Sequence, residues 1–364
     1  MNIRRIAALA ALAAFASAGC TGAPGEGESA GYAGKYVIAV DSATADSPAW
    51  SKVVEALKAK RSAEVLRYEN AREIESILPK LREIAPRYIC FVSKPKYAGR
   101  PLVVSAAQLV RKIDDDPYAD AFWGILTGYD PEDALRTIAL DKPLEIRRIA
   151  TSQGGAKSLD GWDGGFASDE GNPANFWRKT GPDAETEKVE CKTDSSVPMA
   201  EAFNTIPIDM FMTSGHATEH NWQTIYNKNI AYLLHEKGKL YFMSVADKEK
   251  RYIEAPSPKV YMANGNCLIG RIDRRDCMAT SLMHSAGVSQ MIGYSVSSFY
   301  GYMGWGVKSL LMTGAYSLAE SYFLCNQMLL KDIENSDPKI LGLGVNPSND
   351  FDTMRFLRQM SSLG

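Results

Sequence analysis

The chain has 364 residues, of which 45% are apolar and 23% charged, and its formal net charge at pH 7 is −2. Those proportions are globular and exclude a fibrous or intrinsically disordered protein. The 41 Lys and Arg are interleaved with 43 Asp and Glu, as in Arg271 to Asp276, so no basic face tracks a nucleic-acid backbone and that partner is set aside.

Arg4 and Arg5 precede an apolar run from Ile6 to Ala16, and Ser17-Ala18-Gly19-Cys20 is a run of small residues ending in cysteine. A positive start, a short apolar stretch and a small-residue cleavage site are the parts of a secretory signal. The layout over residues 1–20 resembles a bacterial lipoprotein signal with Cys20 as the lipidated residue, although Ser17 stands where leucine is customary; ordinary secretion is the alternative. The apolar stretch falls short of the roughly 20 residues a membrane span requires. Residues 21–34, rich in Gly, Ala and Glu, bury too little surface to order themselves and are expected to be a tether. The expected location is the cell envelope, on the outer membrane, with membrane contact through the lipid. If Cys20 is lipidated, five cysteines remain (Cys90, Cys191, Cys267, Cys277 and Cys325), so at least one thiol is expected outside any disulfide. None is spaced as CxxC, which excludes a zinc ribbon or thioredoxin-like motif.

From Lys35 short apolar runs alternate with helical patterns, the pattern of an α/β fold. YVIAVD (36–41), AEVLRY (63–68), YICFVS (88–93) and AFWGILTG (121–128) are expected strands, separated by helices over 48–61, 71–84 and 105–113 and followed by one over 131–139. Ser47 and Pro48 stand at the start of the first helix as N-cap and first turn. Together these make an amino-terminal subdomain, 35–145. Residues 146–200 carry Gly154-Gly155, Gly164-Gly165 and several Asp and Pro, which predicts a long surface excursion. Within it Asp160, Asp163, Asp169 and Glu170 are weak calcium candidates, because hard cations take clustered oxygen ligands from glycine-rich loops; a solvated loop is the plainer reading.

A second subdomain, 201–333, resumes with strand IPIDMFMTSG (206–215), then a helix over 223–236, a hairpin from 239–247 and 250–255, and strand KVYMANGNC (259–267). A short helix (276–286), strand SQMIGYSVS (289–297) and a long amphipathic helix (307–333) complete it, ahead of a carboxyl-terminal extension, 334–364.

His216 and Cys267 each fall just beyond the carboxyl end of an expected strand. In open α/β sheets ligand sites form in the crevice outside those ends, so two reactive side chains remote in sequence can meet there. A cysteine nucleophile acts as thiolate, and a nearby histidine takes or balances its proton. Backbone N–H groups at Ala217 and Cys267 are candidate donors to a developing oxyanion. His216-Ala217-Thr218-Glu219-His220 also matches H-x-x-E-H, a zinc-peptidase motif that needs both histidines on one helical turn. His220 and His284 are otherwise surface or helix-packing groups. Glu219, Trp222, Ser297 and Trp305 are candidate walls of a peptide-binding pocket, with Tyr294 beside them; core packing is the alternative for the aromatics.

HATEHNW (216–222) is similar to the H-G-S-E-T-x-W block of gingipain-type cysteine peptidases, with Ala217 where that family has glycine. NCLIGRI (266–272) with DCMATSLMHSAGVSQMIGYS (276–295) resembles their nucleophile segment, with Asn266 where alanine is common. The resemblance spans residues 35–330, although only these two blocks are specific. It implies a caspase-like three-layer α/β sandwich with a mostly parallel central sheet. It also implies Cys267 as nucleophile, His216 as general acid/base, Ala217 and Cys267 N–H as oxyanion hole, a peptide or protein substrate and no required cofactor. A binding or scaffold lipoprotein that keeps the fold without turnover is the competing class.

Overall fold

The computed structural model describes residues 35–192, 194–226, 228–297 and 302–336, with backbone only for 302–305 and 336. The signal with Cys20, the tether 21–34 and residues 337–364 of the extension lie outside the described residues.

The first half is built on β1 (Tyr36–Asp41), β2 (Glu64–Tyr68), β3 (Tyr88–Val92) and β4 (Phe122–Leu126), ordered β2-β1-β3-β4 and parallel throughout. Helices α1 (Pro48–Arg61), α2 (Leu78–Ile84), α3 (Arg100–Leu109) and α4 (Pro131–Ile138) connect or follow them. Side chains on a strand alternate between faces, and a strand buried on both faces must be apolar throughout. Accordingly Val37 and Ala39 pack with Ile89 and Phe91 toward α2 and α3, while Ile38 and Val40 pack toward α1 and α4.

The second half is a seven-stranded sheet of β5 (Arg148–Thr151), β6 (Gly164–Asp169), β7 (Asn172–Lys179), β8 (Glu187–Glu190), β9 (Met210–Thr213), β15 (Lys259–Ala263) and β16 (Val288–Ile292). Its order is β16-β15-β9-β5-β6-β7-β8, parallel from β16 to β6 and antiparallel at β7 and β8. Phe166, Phe211 and Tyr261 face α5 (Ser196–Thr205) and α6 (Met278–Ser285). Met210, Met212 and Met262 face α7 (Tyr302–Leu311) and α8 (Leu318–Ser336) on the other side. The fold is thus a three-layer α/β sandwich with a mostly parallel central sheet. An antiparallel sheet of β10 (Ala217–Thr218), β11 (Asn221–Gln223), β12 (Ala231–Glu236), β13 (Lys239–Ser244) and β14 (Arg251–Tyr252) is inserted between β9 and β15.

Four expectations are corrected. Residues 146–200 are not a surface excursion but contain four strands of the central sheet and the start of α5. The misleading signal was Gly164-Gly165: a Cβ on Gly165, whose φ is +132°, would sit 1.8 Å from Ile149 O, so glycine here marks close strand approach. No helix forms where one was expected over 223–236; its described residues include the end of β11 and all of β12, where Ala231 and Leu233 are buried on one face with period two. The long helix at 307–333 divides into α7 and α8, with Gly314 at φ +72° between them. The strand at 250–255 shrinks to β14.

Two of the joints between the halves are at α8 and at Asp133. On α8, Phe323 lies 4.6 Å from Phe122, and Gln327 takes both backbone polar groups of Ala119. At the other joint the buried Asp133 carboxylate accepts from Arg136 at 2.9 Å and faces His284 Nδ1 at 3.1 Å, which makes His284 a packing group.

Lys259, 1% exposed, begins β15, and its ammonium donates to the carbonyls of Ala255, Ser257 and Ala286. Burial pulls its pKa down to about 8, while three acceptors retain the proton at neutral pH. Lys259→Met leaves those carbonyls without their donor and should lower unfolding free energy by about 2–4 kcal/mol, measured by urea denaturation.

Candidate active site

β9 and β15 are parallel neighbours, so both release their chains at the same edge of the sheet. Their ladder continues one step beyond the strands, where Asn264 N–H donates to Thr213 O at 2.8 Å. His216 follows three residues after Thr213, and Cys267 three after Asn264.

Asn266 joins the two loops. It is fully buried; its Oδ1 accepts from Thr213 Oγ1 at 2.8 Å and its Nδ2 donates to Gly215 O at 3.2 Å. The carbonyl can only accept, so the amide orientation is determined by its partners. With the Thr213 proton committed, the buried Tyr261 hydroxyl donates to Thr213 at 2.7 Å. The residue before the cysteine is thereby pinned to the residue before the histidine.

The backbone around Cys267 is bent on both sides, at Gly265 (φ +102°) and Leu268 (φ +58°). A non-glycine residue in the left-handed region costs about 1–2 kcal/mol, strain of the kind that gathers at functional sites. Leu268 N–H donates to Val296 O and Gly270 N–H to Tyr294 O, which lays exposed Ser297 beside the cysteine loop. Gly270 is required by that approach, because a Cβ there would lie 2.5 Å from the Gly293 backbone.

His216 is exposed, and its ring stacks on Tyr226 at 4.8 Å with 10° between planes. Its carbonyl accepts from Gln223 N–H, making 216 and 223 a hydrogen-bonded pair of the β10–β11 hairpin. The next pair, Ala217 and Trp222, is then of the non-hydrogen-bonded type, and Ala217 N–H points away from β11. Since β10 is the sheet edge, that N–H faces outward. Ala217 is absent from the residues of positive φ, so alanine in place of glycine carries no backbone penalty.

Glu170, at the end of β6, supports the histidine loop. Its carboxylate accepts from Ser214 Oγ and its carbonyl from Tyr226 N–H. Burial raises its pKa, opposed by the Ser214 hydrogen bond.

Other expected site residues fall differently. Trp222 is fully buried against Phe211 and donates through Nε1 to Ser214 O at 2.7 Å, so it shapes the loop from beneath and lines no pocket. Glu219 sits at the hairpin turn, 3.8 Å from Arg271 on the rim. Trp305 is on α7, and its side chain lies outside the described residues. The zinc reading is overturned: the H-x-x-E-H residues occupy an extended hairpin, not a helical turn. His216 stacks on Tyr226, whereas His220 joins a chain of donors. Arg274, a donor only, faces His220 Nε2 at 3.1 Å; His220 Nδ1 faces His235 Nε2 at 3.1 Å; His235 Nδ1 faces the Asp276 carboxylate at 3.2 Å. Donors and acceptors match only if both imidazoles are neutral and donate through Nδ1. Glu219, His220 and Asp273 are close enough to share an ion, but Arg274 already donates to His220 and Asp273. As for the calcium candidates, Asp163 faces Arg147 at 3.9 Å, and Asp169 accepts from Gly171 and Asn175. Neither ion-sized group among the described residues includes Asp160, Asp163, Asp169 or Glu170.

None of the five described cysteines is in a disulfide. Burial pushes the Cys90 thiol up to about 12 and Cys325 to about 11, and raises Cys191 and Cys277, so thiolate is disfavoured at all four. The residues missed from sequence were Asn266 and Tyr226; only Asn266 had carried a signal, as a departure from the family pattern.

No family model matches the chain, and no curated protein matches it in sequence. Among solved structures the chain is similar to the Arg-specific cysteine proteinase gingipain R, with 11% identity and a TM-score of 0.49 over 84% of this chain and 73% of that one. It is also similar to the complex of Porphyromonas gingivalis RgpB pro- and mature domains, with 11% identity and a TM-score of 0.48 over 83% and 74%.

Burial, foremost, depresses the His235 pKa. As pH falls the unfolded chain therefore binds this proton first; stability is intact above the ordinary imidazole value of about 6.5 and drops below it. The unfolding midpoint should fall between pH 7.5 and 5.5, and His235→Gln should flatten that fall. Asn266→Ala orphans Thr213 and Gly215 groups and should cost about 1–3 kcal/mol in stability by the same assay.

Proposed function

We propose that the chain is a cysteine peptidase with Cys267 as nucleophile and His216 as general acid/base. The carrying observation is the Asn266 link, which ties the two loops together at one edge of the sheet. His216 takes the Cys267 proton, and the thiolate sulfur bonds to the scissile carbonyl carbon. The carbonyl oxygen becomes an oxyanion, met by Ala217 N–H and Cys267 N–H. His216 then gives its proton to the amine as the C–N bond breaks, leaving a thioester on Cys267. Water, losing a proton to His216, releases the acid and restores the thiol. Glu219, Arg271 and Ser297 form the rim along which a peptide would lie.

We further propose that this reaction takes place in the cell envelope. The support is the charged start, apolar run and Cys20 of residues 1–20. Among the described residues no helix is long and apolar enough to cross a membrane. Cys20→Ser should move the protein from the membrane pellet to the soluble fraction.

A fluorescent peptidyl acyloxymethyl ketone tests the chemistry. It should modify the full chain at one site, and Cys267→Ala should abolish that. His216→Ala should slow peptide hydrolysis at least about 10³-fold, and a chelator should leave it unchanged. Specific, saturable peptide binding with no alkylation of Cys267 would favour the non-catalytic scaffold instead.

A further inference from the structure

The loop that follows β11 is folded back onto the histidine segment. Gln223, at the end of β11, is 9% exposed, and its Nε2 faces the carbonyls of Ile225, Tyr226 and Lys228 at 2.7, 3.1 and 3.2 Å. Its backbone N–H donates to His216 O at 2.9 Å, so one residue holds both the loop and the histidine. From the other side, Tyr226 N–H donates to Glu170 O at 2.7 Å. A Cβ on Gly215, whose φ is +91°, would lie 3.7 Å from Tyr226 Cδ2, so the ring covers residues 215 and 216.

The Tyr226 side chain placed there is 44% exposed, and its ring lies nearly parallel to the His216 imidazole, with 10° between planes and 4.8 Å between centroids. Core packing does not account for that position, because Ile225, at 1% exposure, takes the buried place in this loop. Both nitrogens of an imidazole point outward in the plane of the ring. A second ring laid flat on one face therefore restrains that plane without covering either nitrogen. The negative π face of an aromatic ring also attracts a cation held within about 6 Å of its centroid.

We infer that Tyr226 is a positioning residue of the peptidase site: it holds the plane of His216 and meets, with its π face, the positive charge that His216 gains on taking the Cys267 proton. That charge exists only after the transfer, so the contact is stronger in the imidazolium state than in the resting one. Interactions that strengthen along the reaction act on rate rather than on affinity for the peptide. A restrained imidazole also has less freedom to lose on reaching the reacting geometry. The ring supplies both effects and the hydroxyl neither, so phenylalanine can replace tyrosine whereas leucine cannot. This inference rests on the proposed peptidase reading and adds a residue to it.

The full chain would be titrated with the peptidyl acyloxymethyl ketone, and modification of Cys267 followed by intact mass to give a limiting rate and a half-saturating concentration. Tyr226→Leu should lower the limiting rate at least about fivefold and leave the half-saturating concentration unchanged. Tyr226→Phe should keep the native rate. In a His216→Ala background Tyr226→Leu should have no further effect, as expected of a residue that acts through the imidazole. A native rate in Tyr226→Leu, equal losses in the Leu and Phe variants, or the same loss with and without His216 overturns the positioning role and leaves the peptidase standing. Failure of the native chain to be modified at Cys267 overturns both.

Discussion

Everything at the candidate site depends on β5, β9 and β15 running parallel as immediate neighbours. Parallel strands release their chains at one edge, so Gln153, His216 and Cys267 arrive on the same side of the sheet whatever the length of sequence between them. An antiparallel neighbour would have sent one of them to the opposite edge. The antiparallel strands β7 and β8 are confined to the far side of the sheet, where they extend it without disturbing that edge.

Parallel strands bring loops near one another but do not set them to within an ångström. That is left to side chains beneath the loops: Asn266 between the cysteine and histidine segments, Trp222 and Glu170 under Ser214, and Tyr226 against the imidazole. All are polar or aromatic groups with identified partners, which is what a precise site on loops requires. The backbone bends at Gly265 and Leu268 fit the same picture, since strain persists only where surroundings over-determine a conformation.

Buried charge follows one rule across the molecule. Lys259 meets three carbonyls, Asp133 meets Arg136 and His284, and Asp194 accepts from Ser196 N–H and Ser244 Oγ. Each interior charge is matched by partners, because an uncompensated one costs several kcal/mol.

The sequence alone determined the α/β class, the strands around 36–41, 88–92 and 259–263, and the placing of His216 and Cys267 just past strand ends. Apolar runs and turn residues are local signals, and a strand buried on both faces announces itself through unbroken hydrophobicity. Tertiary structure decided what local pattern left ambiguous. Gly164-Gly165 carried the composition of a loop, yet pairs with β5 inside the sheet, because a missing Cβ serves close strand approach as readily as a turn. H-x-x-E-H matched a helical zinc motif, yet folds as a hairpin, because pairing with β12 supplies hydrogen bonds that a single helical turn could not. Asn266 showed only as a departure from a family pattern, and Tyr226 showed nothing. Their roles exist only where strands distant in sequence meet, and no local window contains both partners.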